Sequence, residues 1–361
     1  MSVQGNREPP APYLTLVGWT RNDGYTANYV ERTRHAVGFL LGQLERHRLP
    51  SELVVVEWNP PPDRPLMAEL LGLPAALQHV TVRFITVSAD YHRSYRGWQQ
   101  RGIVPVECVN VGIRRSRGLF RTPKSLDTFY SDELVARIAQ RDLDENCVYR
   151  CDRCDVQLAG DGWLAVPDGE LLEFITAAPL QRHGRLQHSP HWKIRDLHTN
   201  GCGDFILLSG ERWCRMHGYI KDRTVVELDT DSIGLHAAVA YGAHEICWPA
   251  PCDVYKVAHE NLNAQRLLTV WKPWQERLDR FLVDRGKHDL AHSFRTWLDY
   301  PKRRVRGIDS VLGPSIERNF VARATRFARG DISKPLNDQN WGLGDAPLPD
   351  RFVTRAAWDI A

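Results

Sequence analysis

The feature that most constrains this chain is an alternation in its first hundred residues. Tyr13–Trp19 reads YLTLVGW, Leu53–Glu57 reads LVVVE and Val80–Val87 reads VTVRFITV. Each is a short apolar run, the pattern of a strand buried on both faces. Between the first two, Val30, Thr33, Val37, Leu40, Leu41 and Leu44 recur at helical spacing from Asn28 to His47, and Pro50 closes the helix. After the second run, Trp58-Asn59-Pro60-Pro61-Pro62 cannot continue a strand, and a short helix is expected from Pro65. Strand, helix, strand, helix, strand predicts an α/β fold: a mostly parallel, Rossmann-like sheet with helices on both faces.

The next stretch, residues 107–133, predicts a helix with a small face over Asn110–Gly118, a lone acid at Asp127 and a new helix over Asp132–Gln140 headed by Ser131. Val148–Val156 reads as one strand and residues 157–198 as a long irregular surface excursion. Gly203–Ser209 returns to strand, Glu211–His217 is a short helix ended by Gly218, and Ser232–Tyr241 is a helix whose first turn Asp229 and Asp231 can cap. His244–Trp248 and Val254–Val257 are short strands. From Asn261 onward, Leu267, Leu268, Trp271, Trp274, Leu278, Phe281 and Leu282 recur at helical spacing, and Tyr300–Ala361 is rich in charge, Gly and Pro. The expected division is a loose arm over 1–12, an α/β domain over 13–260 and a C-terminal helical and irregular extension over 261–361.

Bulk properties exclude several classes. A formal charge of +3 over 361 residues gives no support to nucleic-acid binding. No apolar run approaches a membrane span, and MSVQGNREPPAP lacks the apolar core of a signal peptide, so a cytoplasmic location is expected. Eight cysteines are then free thiols by default. Cys151 and Cys154 form a C-x-x-C with no second pair at zinc-site spacing, which favours buried small hydrophobes. Lys302–Arg306 reads as a solvated basic face.

In open parallel sheets, ligands sit at the carboxyl ends of the strands. Arg21, Asn22 and Asp23 follow the first strand and either organise a turn or meet a ligand; Glu57 ends the second and can accept from a hydroxyl or N–H; Trp58 is positioned to stack. The small residues around Asn110 and Gly112 permit close approach of the helix to the sheet, and Arg114 can face a phosphate. A single carboxylate such as Asp127 suffices for Mg²⁺ or Mn²⁺ when phosphate oxygens and water complete the shell, and His259 offers a further ligand. The charges of Arg150, Asp152, Arg153 and Asp155 alternate along one strand, as an ion pair or as a ligand contact. Asn200 and Asp204 flank two glycines that suit backbone approach, and Asp231 heads a helix as a cap or as a general base.

These residues, in order, resemble a bacterial family of GT-A-type glycosyltransferases related to the inverting family 2. The resemblance runs over most of 13–260 and is carried by Arg21-Asn22-Asp23, Val56–Pro61, Asn110-x-Gly112-x-Arg114, Asp127 with Ser131, Arg150–Asp155, Asn200 with Asp204, Asp231-Ser232, and Tyr255 with His259; Asn337 and Trp341–Leu343 extend it. It implies a GT-A fold, a nucleoside-diphosphate sugar donor, a hydroxyl acceptor and a divalent metal. It also implies that Arg21, Asp23, Glu57, Asn110, Arg114 and Asp127 lie at the nucleotide sugar, Asp127 and His259 at the metal, Asn200 and Asp204 at the acceptor, and Asp231 as the catalytic base. A homodimer is a further expectation. Two departures stand out: Lys124 and Ser125 precede the acid where the family tends to have Thr-Asn, and Lys256 replaces a histidine. Either lysine can neutralise a diphosphate and make the metal dispensable. The competing readings are a non-catalytic nucleotide- or sugar-binding homologue and a sugar-phosphate nucleotidyltransferase, the latter poorly matched by the glycine-poor loop Gly18–Gly24.

Overall fold

The computed structural model describes residues 12–24, 26–99, 101–158, 160–185, 197–221, 230–257 and 329–360, with isolated positions between 277 and 327. The first half follows the expected alternation: β1 (Leu14–Thr20), α1 (Tyr29–Arg46), β2 (Ser51–Trp58), α2 (Met67–Leu70), a two-residue β3 (Ala76–Leu77), β4 (Val80–Val87), α3 (Ala89–Arg93) and α4 (Pro105–Arg115). Then come β5 (Phe120–Pro123), β6 (Thr128–Tyr130), α5 (Asp132–Ala139), β7 (Cys147–Arg150), β8 (Asp152–Val156), α6 (Asp168–Ala177) and β9 (Leu180–His183). After them follow β10 (Leu208–Ser209), α7 (Gly210–Met216), α8 (Thr230–Ala240), β11 (His244–Cys247), β12 (Asp253–Val257) and β13 (Asp350–Ala356).

The main sheet runs β10-β5-β1-β2-β4-β13-β3. Its four central strands, β5, β1, β2 and β4, are parallel; β10 and β13 run antiparallel to their central neighbours. Numbered in chain order, the parallel strands lie 3-2-1-4. The order reverses between β1 and β5, which leaves a crevice at their carboxyl ends. Both faces are covered, as the apolar runs required. On β2, Leu53 and Val55 join a core with Val37, Leu40, Leu41 and Leu44 of α1, while Val54 and Val56 join another with Cys108 and Val111 of α4. Helix α4 lies close against β1 because Gly112 carries no side chain: a Cβ there would stand 2.3 Å from Val17 Cγ1. A smaller sheet, β6-β12-β8-β9, abuts the first where β5 passes into β6.

Four expectations need correction. The single strand over Val148–Val156 is two strands broken at Cys151; β7 pairs with β11 and β8 with β12. The break sends Cys151 into the α1 core and Cys154 into the core under α6, so the C-x-x-C thiols are buried in different places. Residues 157–198 are not uniformly irregular, since they hold α6 and the edge strand β9. Gly203–Ser209 is a 3-10 turn over Cys202–Asp204 followed by a two-residue strand. Finally, residues 350–356, expected within an appendage, form a strand of the main sheet beside β4. The helical stretch expected from Asn261 lies outside the described residues apart from isolated positions. Among the described residues no helix is long and apolar enough to cross a membrane.

Candidate active site

The crevice at the switch point is lined first by the loops that leave β1 and β5. At the end of β1, Arg21 donates from Nε to the Asn59 carbonyl at 2.8 Å and from Nη1 to Asp23 at 2.5 Å. Asn59 in turn donates to the Gly102 carbonyl, so Arg21 and Asn59 tie three loops at the carboxyl edge. Tyr29, at the first turn of α1, meets the Thr20 hydroxyl at 2.9 Å. Its phenol is pushed up to about 12 by burial, and Asp127 and Asp23 add to the shift. Tyr29 therefore lies within electrostatic reach of both acids, one from each side of the switch point.

The turn after β5 is built around a buried cation. Lys124 N–H donates to the Val17 carbonyl, extending the β1–β5 pairing by one bond. Its side chain is 1% exposed and turns back on its own loop. The ammonium donates to the Ser125 carbonyl at 3.1 Å, the Thr128 carbonyl at 2.6 Å and the Thr128 hydroxyl at 3.2 Å. Three donors thus meet three acceptors. Gly18 lets Leu126 press onto β1, since a Cβ there would stand 2.3 Å from Leu126 Cδ2. Asp127 is carried on this turn.

The second sheet supplies the opposite wall. Lys256 of β12 stands in register with Thr128 of β6 and Asp155 of β8. On β8, Arg153 and Asp155 point to the same side, as period-two alternation requires. Arg153 donates to Asp204 at 3.0 Å, and Asp155 contacts both Arg153 and His183 of β9, the latter at 2.9 Å. Asp204 is buried, yet its carboxyl is held below the usual range: burial pushes it up, and Lys256 and Arg153 together outweigh that. Lys256 Nζ is 3.9 Å from Asp204. Asp204 and then Asp127 raise its pKa against the opposing effect of burial. Ser125 Oγ donates to Asp204 at 3.2 Å, linking the Asp127 turn to the 202–204 turn.

Asp231 reaches this wall from the first turn of α8. A Cβ on Gly203 would lie 2.7 Å from Asp231 Oδ2, so that glycine is what lets the two approach. The other oxygen accepts from the Ser232 N–H, a capping contact. Asn200 donates to the Gly184 carbonyl and its own carbonyl accepts from Arg150, which fixes the loop that leads to Asp204.

Of the expected site residues, the fold brings Arg21, Asp23, Asp127, Asn200, Asp204 and Asp231 to this edge. Three others are used elsewhere. Asn110 is fully buried; its amide donates to the Tyr219 carbonyl and accepts from the Tyr219 N–H. Arg114 lies far from the crevice, because α4 runs back from the carboxyl edge: Gly102, before it, contacts Arg21, whereas Gly118, after it, packs on Leu14 and Thr15 at the start of β1. The guanidinium of Arg114 donates to the Gln339 and Trp341 carbonyls and covers the Trp341 ring, docking the segment that contains Asn337 and Gly342. Glu57 is at the right edge but wholly buried. Its Oε1 accepts from the Met67 N–H at 2.6 Å, and burial raises its pKa. Trp58 is buried too and donates to His92 Nδ1, so its ring is not offered for stacking. His259 lies outside the described residues.

Among the described residues no three His, Cys, Asp or Glu side chains converge. Both oxygens of Asp204 have partners, in Arg153 and Ser125, and Lys256 stands where a cation would neutralise Asp204 and Asp127. Sequence reasoning did not single out Tyr29 or His183, and left Arg150, Asp152, Arg153 and Asp155 open between an ion pair and a ligand contact; Arg153 and Asp155 do pair, as their period-two charge pattern allowed.

No protein-family model matches the chain, and no curated protein does. Among solved structures, a match is the catalytic domain of Drosophila β1,4-galactosyltransferase 7, crystallised with xylobiose, at 11% identity and a TM-score of 0.34. It covers 65% of this chain and 63% of that one, so the chain spans less than two thirds of that domain.

Proposed function

We propose that the crevice binds a nucleoside-diphosphate sugar and transfers the sugar to a hydroxyl acceptor, as a glycosyltransferase does. One observation carries the reading. On the wall beside the switch point, Lys256 and Arg153 stand among Asp155 and Asp204, and Asp127 on the facing turn is close enough to act on Lys256. Ammonium and guanidinium groups suit a diphosphate, and carboxylates suit sugar and ribose hydroxyls. The order of the motifs along the sequence supports the same conclusion.

In this reading Asp23 accepts from the nucleoside, and Lys256 and Arg153 meet the diphosphate. The acceptor oxygen bonds to the anomeric carbon as the bond from that carbon to the diphosphate oxygen breaks. The electron pair leaves with the nucleoside diphosphate, where Lys256 stabilises the growing charge. The acceptor's proton passes to Asp231. Because the lysine already supplies the positive charge, transfer proceeds without a divalent ion.

The test is a thermal-shift panel of UDP-, GDP-, dTDP- and CDP-sugars, with and without Mn²⁺, followed by assay of nucleoside diphosphate release. One donor class should stabilise the fold, by about 2.7 kcal/mol at hundredfold excess over its Kd. Stabilisation without release or transfer under any acceptor condition would mark a binding protein instead. No response to any donor would overturn the reading.

A further inference from the structure

Lys124 is anomalous on its own terms. A lysine that is 1% exposed normally has a carboxylate partner, because an ammonium out of water is costly. Here all three donors go to oxygens of the next four residues: the carbonyls of Ser125 and Thr128 and the Thr128 hydroxyl. The same hydroxyl donates to the Ser125 carbonyl at 2.8 Å, and the Thr128 N–H donates to that carbonyl as well. Both ends of a four-residue turn are thus fastened to one buried cation, with Asp127 between them. The Tyr130 ring closes the pocket 5.1 Å from the ammonium.

We infer that Lys124 is a positioning residue: its buried ammonium clamps the 125–128 turn and so fixes Asp127 in the corner with Lys256 and Asp204. The role differs from the phosphate contact expected of this lysine, since its donors are all engaged by the protein. The charged groups that face it are Asp127 on its own turn and Asp204 on the 202–204 turn, and both favour the ammonium. Tyr130, from β6, is buried and has its phenol pushed well up, so it stays neutral. Burial is the largest influence and brings the lysine down to about 8. The clamp therefore loosens in mildly alkaline solution.

Only the identity of what the corner binds rests on the donor reading; the clamp itself rests on geometry. Two readouts separate them. The first is amide exchange at Thr128, corrected for intrinsic rate, in the wild type, Lys124→Met and Thr128→Val. Lys124→Met should lose about tenfold or more of the protection, Thr128→Val less, and the double variant should be no worse than Lys124→Met. The second is the same protection compared across pH. The loss in Lys124→Met should be about tenfold near neutral pH and shrink toward none as the wild-type ammonium discharges above pH 8. Because each rate is corrected for its intrinsic value, the pH dependence of exchange itself cancels.

Wild-type protection at Thr128 in Lys124→Met near neutral pH overturns the inference. So does a loss of protection that stays constant through the alkaline range. Should Lys124→Met fail to fold, Thr128→Val decides alone, and unchanged protection there overturns the clamp. If the wild type binds no nucleotide sugar, the donor reading fails while the exchange result still judges the clamp.

Discussion

Gly112→Ala is the sharpest test of how α4 meets the sheet. Gly112 is in the helix interior, where Ala ordinarily gains about 0.5–1 kcal/mol over Gly. Here the new methyl would stand 2.3 Å from Val17 Cγ1 and 3.4 Å from Val17 Cβ. Normal carbon contacts lie at about 3.5–4.0 Å, so the helix must retreat by roughly 1 Å or Val17 must turn. Val17 is fully buried, and a gap of that size along α4 forfeits a quarter to a half of each contact it opens. Overpacking costs about 1–3 kcal/mol, which leaves a net loss of about 0–2.5 kcal/mol after the helical gain. Urea unfolding of Gly112→Ala, Val17→Ala and the double variant isolates the cause. Val17→Ala makes room for the new methyl, so the double variant should be more stable than the sum of singles requires, by about 1–2 kcal/mol. Gly38→Ala in α1, where nothing lies within 4 Å, is the control and should stabilise. A stabilising Gly112→Ala with an additive cycle would refute the close approach.

Three further outcomes follow from the site. Asp127→Ala should abolish sugar transfer; full transfer in the variant would remove Asp127 from the corner. Wild-type transfer should persist in excess chelator, while Lys256→Met should lower kcat by about 10²–10³-fold; complete loss in chelator would show that a metal carries the leaving-group charge. His92 accepts from Trp58 at Nδ1 and is held below its ordinary 6.5, chiefly by burial. A base lowered in the folded state binds fewer protons there than in the unfolded chain. Its contribution is therefore complete above pH 6.5 and declines as pH falls from 6.5 toward the folded value. Stability measured between neutral pH and about pH 5 should fall more steeply in the wild type than in His92→Gln, and equal slopes would contradict this.

The sequence by itself determined the layered architecture. Runs such as LVVVE and the stripe on α1 report burial directly, because strand and helix periods decide which side chains can share a face. The small face of α4, the Ser131 cap and the edge at which Asp23 and Asp127 lie were legible for the same local reason. Tertiary structure alone decided the rest. Nothing local at Cys151 says that the strand breaks there, since the break reflects two sheets competing for neighbouring residues. Nothing near Asp350 says that it pairs with β4, a strand more than two hundred residues away in the chain. Polar residues were the least legible. Asn110, Arg114, Glu57 and Lys124 all have the chemistry to bind a ligand, but each meets backbone groups of its own protein. A side chain's type states which bonds it can make; only the packing around it decides whether the partner is substrate or the chain itself.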